Sequence, residues 1–145
     1  MRSSRTAFIA LFVITLSISV LACGSFTPPE SCTDADFNES IFSEHFSEMY
    51  LVNAATGEPG ALDPEQGEMY APNDQIAVQI NSLDEVEVRL CIEQRKGGGQ
   101  IVYDQTHIVP QGENVILLMA FDSDPYVVRV IVDEVLVKNL TFFTE

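Results

Sequence analysis

The chain contains no tryptophan, two histidines, three cysteines and seven basic residues against twenty-two acidic ones. Each scarcity excludes something. With a formal net charge of −15, the surface repels phosphate backbones, and nucleic acid is not expected as a partner. His45 and His107 stand some sixty residues apart. A hydrolytic triad needs nucleophile, base and orienting acid in one pocket, and no local pattern assembles one. We therefore expect no enzyme. The spacing His45-x-x-Glu48 suits half of a metal site but brings no further ligands with it, so a packing or surface histidine is the expectation. Without tryptophan, a sugar platform would fall to Tyr50, Tyr70, Tyr103 and Tyr126.

What is present begins with the first 22 residues. Arg2 and Arg5 form a short positive region, and Ala7 to Ala22 is an apolar run interrupted only by Thr15, Ser17 and Ser19. This is the layout of a secretory signal. As a helix the run would span about 24 Å, short of the ~30 Å hydrocarbon core, so an uncleaved membrane-spanning helix is the weaker reading. Arg2 and Arg5 lie in that segment, so the remainder carries −17, with Arg89, Arg95, Lys96, Arg129 and Lys138 as its basic residues.

The signal ends in Val20-Leu21-Ala22-Cys23. These four residues resemble the lipobox of bacterial lipoproteins: an aliphatic residue, a tolerant position, a small residue, then cysteine. The resemblance covers roughly the first 24 residues. It implies that the Cys23 thiol is diacylated, that a dedicated peptidase cuts before it, and that covalent lipid holds the protein on the cell membrane or the outer membrane surface. Gly24 is not the Asp that retains many lipoproteins in the inner membrane. Two or more acyl chains, at ~0.8 kcal/mol per buried methylene, give stable anchoring where one would be marginal. An ordinary signal peptide cut nearby is the alternative.

With Cys23 committed to lipid, Cys32 and Cys91 remain. In an oxidising compartment an even count reads as a disulfide; two free or buried thiols are the other reading. A bridge would close a loop of nearly sixty residues, worth roughly 4 kcal/mol in the chain-entropy account.

The mature chain then divides in two. Residues 23–45 comprise a tether with Pro28 and Pro29, followed by a possible short helix over Asp34 to Glu44, opened by a Thr33/Asp36 capping box. Residues 46–145 read as about seven strands: Phe46–Asn53, Gln75–Ile80, Val86–Glu93, Ile101–Thr106, Glu113–Phe121, Tyr126–Asp133 and Val135–Phe143. Ala54 to Asn73, rich in Gly and Pro, reads as a long loop. Val86, Val88, Leu90 and Ile92 alternate with polar positions, which puts Cys91 on the outer face, within reach of the tether. The last three strands are apolar on both faces, as central strands are, and Phe37, Ile41 and Phe42 are the expected cover.

The stretch from Asp124 to Phe142, with Tyr126-Val127-Val128-Arg129-Val130 leading into Val135-Leu136-Val137-Lys138, is similar to the closing hairpin of immunoglobulin-like sandwiches in bacterial surface proteins. The expected fold is an all-β, single immunoglobulin-like antiparallel β-sandwich. Asp133-Glu134 departs from the Asn-Gly or Asp-Gly of the favoured two-residue turn, and the likeness carries no activity. The expected role is binding, presenting or scaffolding an envelope protein or glycan. The alternative is a calcium- or glycan-binding module using the acidic loops at Asp63 and Glu65 and at Asp122 and Asp124, where hard oxygen ligands are available.

Overall fold

A computed structural model describes residues 31–33, 35–65 and 67–145. The signal segment 1–22, Cys23 and the tether up to residue 30 lie outside the described residues. Among the described residues no helix is long and apolar enough to cross a membrane.

One helix, α1 (Glu39–His45), precedes the sheets. Its start lies later than the sequence suggests. Asn38 is the N-cap, its side-chain oxygen accepting from the amides of Ser40 and Ile41, and so relieves two of the orphan donors at a helix start. Thr33 instead closes a local turn, its hydroxyl accepting from Ala35 N–H at 3.0 Å.

Nine strands follow: β1 (Phe46–Asn53), β2 (Ala61–Asp63), β3 (Gly67–Tyr70), β4 (Ile76–Ser82), β5 (Val86–Gln94), β6 (Gln100–Val109), β7 (Gly112–Leu117), β8 (Pro125–Val132) and β9 (Val135–Thr144). Seven match the expected strands. β2 and β3 lie in the stretch expected to be a loop. They form a short hairpin whose second strand joins β9 in parallel, Glu68 beside Phe142. Three- and four-residue strands are too short to show alternation.

The strands make two sheets, β1-β4-β7 and β2-β3-β9-β8-β5-β6. With β2–β3 taken as an insertion, the remaining strands follow the immunoglobulin order, first-second-fifth on one sheet and third-sixth-seventh on the other. The fourth strand, β6, pairs with β5 on the larger sheet. The fold is thus an all-β sandwich of two packed sheets.

The core between the sheets takes Leu51 from β1, Val78 and Ile80 from β4, Val88, Leu90 and Ile92 from β5, and Val128 and Val130 from β8, all fully buried. At one end four aromatic rings close it. Phe142 stacks on Tyr126 at 5.2 Å and meets Phe121 edge-on at 5.0 Å and Tyr70 at 6.3 Å, geometries that aromatic quadrupoles favour.

Two expectations need correction. β7 is an edge strand, bonded to β4 alone among the described residues, and its outer face has no layer above it, with Val115 59% and Leu117 55% exposed. Its doubly apolar sequence therefore does not report a central position. Second, the N-terminal segment does cover β8 and β9, with Phe37 bridging Leu136, but Ile41 and Phe42 pack against the main core instead. Cys32 is part of that cover and clusters with Cys91, Ile131 and Leu136 on the outer face of the larger sheet.

The β8–β9 turn adopts the left-handed conformation at both central residues, Asp133 at φ 49° and Glu134 at φ 63°. That is the geometry of a type I′ turn, made here without glycine.

Candidate functional site

The residues that do most to fix the N-terminal segment sit on the outer face of β5 and its neighbours. Alternation along β5 sends Val88, Leu90 and Ile92 inward and Arg89, Cys91 and Glu93 outward. The three outward residues form the floor on which the arm, residues 31–33 and 35–38, lies.

Cys32 and Cys91 are bonded, with Cα atoms 5.8 Å apart. Both cysteines are buried. The Cys32 amide donates to Glu93 Oε1 at 2.7 Å, and Ser31 Oγ donates to the same oxygen at 3.4 Å. Arg129 on β8 grips Glu93 with two bonds, Nε to Oε1 at 3.1 Å and Nη2 to Oε2 at 3.2 Å. Its third nitrogen donates to Asn139 on β9 at 3.1 Å. On the other side of the disulfide, Arg89 donates to both oxygens of Asp104 at 2.7 and 2.6 Å and reaches the Cys32 carbonyl at 3.5 Å. The arm then leaves along β9, where Phe37 bridges Leu136 in parallel and Asn38 N–H donates to the Leu136 carbonyl at 2.8 Å.

Electrostatics follow from these contacts. Burial works against the charge on Glu93, but Arg129, the Cys32 amide and Ser31 outweigh it and hold the carboxyl below its ordinary range. The Arg89 fork does the same for Asp104, with burial opposing it weakly. Both acids stay ionised at neutral pH, and each arginine is paired in the bidentate geometry that a guanidinium favours. The arrangement holds a segment of chain against a sheet.

The other sequence candidates lie elsewhere. Asp63 Oδ1 accepts from the Glu65 amide at 2.8 Å, making a turn between β2 and β3. Asp124 Oδ2 takes a bond from Gln94 at 2.5 Å, and its buried Oδ1 meets the Lys96 ammonium at 3.2 Å without hydrogen-bond geometry. The Asp122 carbonyl accepts from Tyr126 and Thr144. These acids serve turns and local pairs, and among the described residues no three metal-ligating side chains converge. His45 faces Asp84 at 3.1 Å, and His107 stacks on Tyr103, whose hydroxyl lies 3.0 Å from Nε2. The two histidines sit on separate elements. Of the four tyrosines, Tyr70 and Tyr126 are buried in the aromatic end of the core, which leaves Tyr50 and Tyr103 as partly exposed rings.

A shallow cleft of about 470 Å3 lies between Phe42, Met49, Tyr50 and Lys138. The Lys138 ammonium sits 5.0 Å over the Phe42 ring, so its charge is already engaged. A smaller recess of about 300 Å3 is lined by Glu87, Arg89, Thr106, Ile131, Asp133 and Glu134.

Arg89, Glu93, Asp104, Arg129 and Asn139 do not stand out in the sequence as residues of one site. Arg89 and Glu93 were findable, since they flank Cys91 at the i±2 spacing that shares its face. Arg129 and Asn139 reach it only through cross-strand pairing, which sequence spacing does not encode. The chain matches no protein-family model and no curated protein. The functional reading therefore rests on this chain's own residues.

Proposed function

We propose that this chain is a bacterial lipoprotein: exported, cut before Cys23, anchored by lipid on that cysteine, and carrying an immunoglobulin-like domain that binds or scaffolds at the cell envelope without catalysis. The observation that carries this reading is the succession of Arg2 and Arg5, the apolar run to Ala22, and Val20-Leu21-Ala22-Cys23. The Cys32–Cys91 bond supports export, because structural disulfides persist in oxidising compartments. With that pair consumed, Cys23 is the one cysteine left for lipid.

The clasp formed by the Cys32–Cys91 bond with the Glu93–Arg129 and Arg89–Asp104 pairs beside it supports a mechanical role for the segment beyond the anchor. Ser31 lies eight positions after Cys23, at most about 28 Å of extended chain. The arm then lies along the outer face of the larger sheet, so pull from the membrane passes into β5 through the Cys32–Cys91 bond and the hydrogen bonds that Cys32 makes with Glu93 and Arg89. The anchored side of the domain is this face.

The test is fractionation of cells producing the full chain and its Cys23→Ser variant. The wild type should sediment with membranes and migrate as one processed species. The variant should accumulate unprocessed. Equal processing of both, with the wild type in the soluble fraction, refutes the anchor.

A further inference from the structure

We propose that β7 is the edge through which two copies of this chain pair, strand against strand and antiparallel, in a two-fold dimer. Among the described residues β7 bonds to β4 on one side and to no strand on the other. Its free edge presents unpaired backbone donors and acceptors, which another strand satisfies. The core-facing Asn114 and Ile116 are only half-buried, whereas Val78 and Ile80 beside them on β4 are fully buried. The sandwich is therefore open along this flank. On the outer face Val115 and Leu117 are more than half exposed, and Met119 just beyond the strand is 43% exposed, so three large apolar side chains stand at alternate positions.

Charge selects a second copy as the occupant. The chain is strongly acidic, and two copies repel wherever acids face each other. From Gly112 to Leu117 the one charged residue is Glu113. A two-fold axis through Val115 puts Glu113 opposite Leu117 of the second copy, and one through Ile116 puts it opposite Met119. In either register acid faces apolar side chain and Val115 lies beside the partner's apolar row, the kind of cross-strand pair that stabilises sheets. Of the other long edges, β6 carries Asp104, His107 and, after its last residue, Pro110, and β1 carries Glu48 at an irregularity in its pairing with β4, devices that discourage pairing. The axis relating antiparallel edge strands is normal to the sheet, so both copies turn the same face the same way. Both Cys32 arms then lie on one side of the dimer. That agreement with a shared membrane rests on the lipid-anchor reading; the pairing does not.

The experiment uses the full chain in cells, with Val115→Cys as the introduced thiol and a bis-maleimide reagent reaching the roughly 5–8 Å between facing and diagonal cross-strand side chains. Val115→Cys should give a covalent dimer. Addition of Leu117→Lys, at an exposed position that leaves the fold intact, should reduce it at least tenfold, and Leu62→Cys on β2, 78% exposed, should give none. Absence of dimer from Val115→Cys, persistence with Leu117→Lys, or cross-linking of Val115→Cys to a different protein instead would each overturn the proposal. Equal dimer from wild type and all variants would mean that Cys23 is a free thiol, which overturns the anchor and leaves β7 to be judged on the Leu117→Lys difference in a Cys23→Ser background.

Discussion

The backbone amide of Cys32 donates to Glu93 Oε1 across 2.7 Å, and Glu93 stands two positions beyond the cysteine to which Cys32 is bonded. Covalent and charge-assisted bonds thus hold the arm at adjacent positions on one strand face. Each can be removed separately by substitution.

Replacing Cys32 and Cys91 together by alanine removes a cross-link between residues 59 apart. The loss should be about 4 kcal/mol in the chain-entropy account. Equilibrium denaturation in urea, with and without reductant, measures it. Reductant should destabilise the wild type and leave the double variant unchanged.

The acid limb of stability reports the charged half of the clasp. Glu93 has a folded-state pKa below its unfolded value, so the unfolded state binds the extra proton. Its contribution is present above the ordinary carboxylate range, near pH 4–5, and is lost as pH falls through the depressed folded value. Glu93→Gln should cost on the order of 1–2 kcal/mol at pH 7, because Arg129 loses its bidentate partner, and should flatten the decline between pH 5 and 3. Thermal unfolding across that range distinguishes the two chains; equal slopes would remove Glu93 from the account.

The β8–β9 turn should gain from glycine. Glu134 sits at φ 63°, where an L side chain costs roughly 1–2 kcal/mol and the added freedom of unfolded glycine returns part of that. Glu134→Gly should raise stability by about 0.5–1 kcal/mol, read as a shift in the urea midpoint at constant m-value. A lowered midpoint would contradict the turn geometry.

Phe142 touches three other rings and is fully buried. Phe142→Ala should cost about 3–5 kcal/mol. Because Tyr126 and Tyr70 flank the ring, near-ultraviolet circular dichroism should lose tyrosine signal even where the variant stays folded.

Much of the fold is legible in the sequence where alternation is strong and the strands are long. β5 shows it best: Val86, Val88, Leu90 and Ile92 face the core, and the outward Cys91 forms the expected disulfide. Legibility fails where one pattern has two causes. Val115-Ile116-Leu117 is as apolar as Val127-Val128, yet the first lies on an open edge and the second under cover. Sequence records hydrophobicity and not which layer exists above it. β2 and β3 are too short for a period, and their place comes from parallel pairing to β9, a contact across some seventy residues. The clasp was half readable, through its cysteines. Its arginines were not, because Arg129 and Glu93 meet only after β5 and β8 pair.

The most direct test of the whole account is the intact mass of the protein extracted from membranes with detergent. The account predicts a single species equal to the peptide from Cys23 to Glu145, less two hydrogens for the Cys32–Cys91 bond, plus a diacylglyceryl group with or without one further acyl chain. A mass matching the bare peptide, or one that retains residues 1–22, would contradict it.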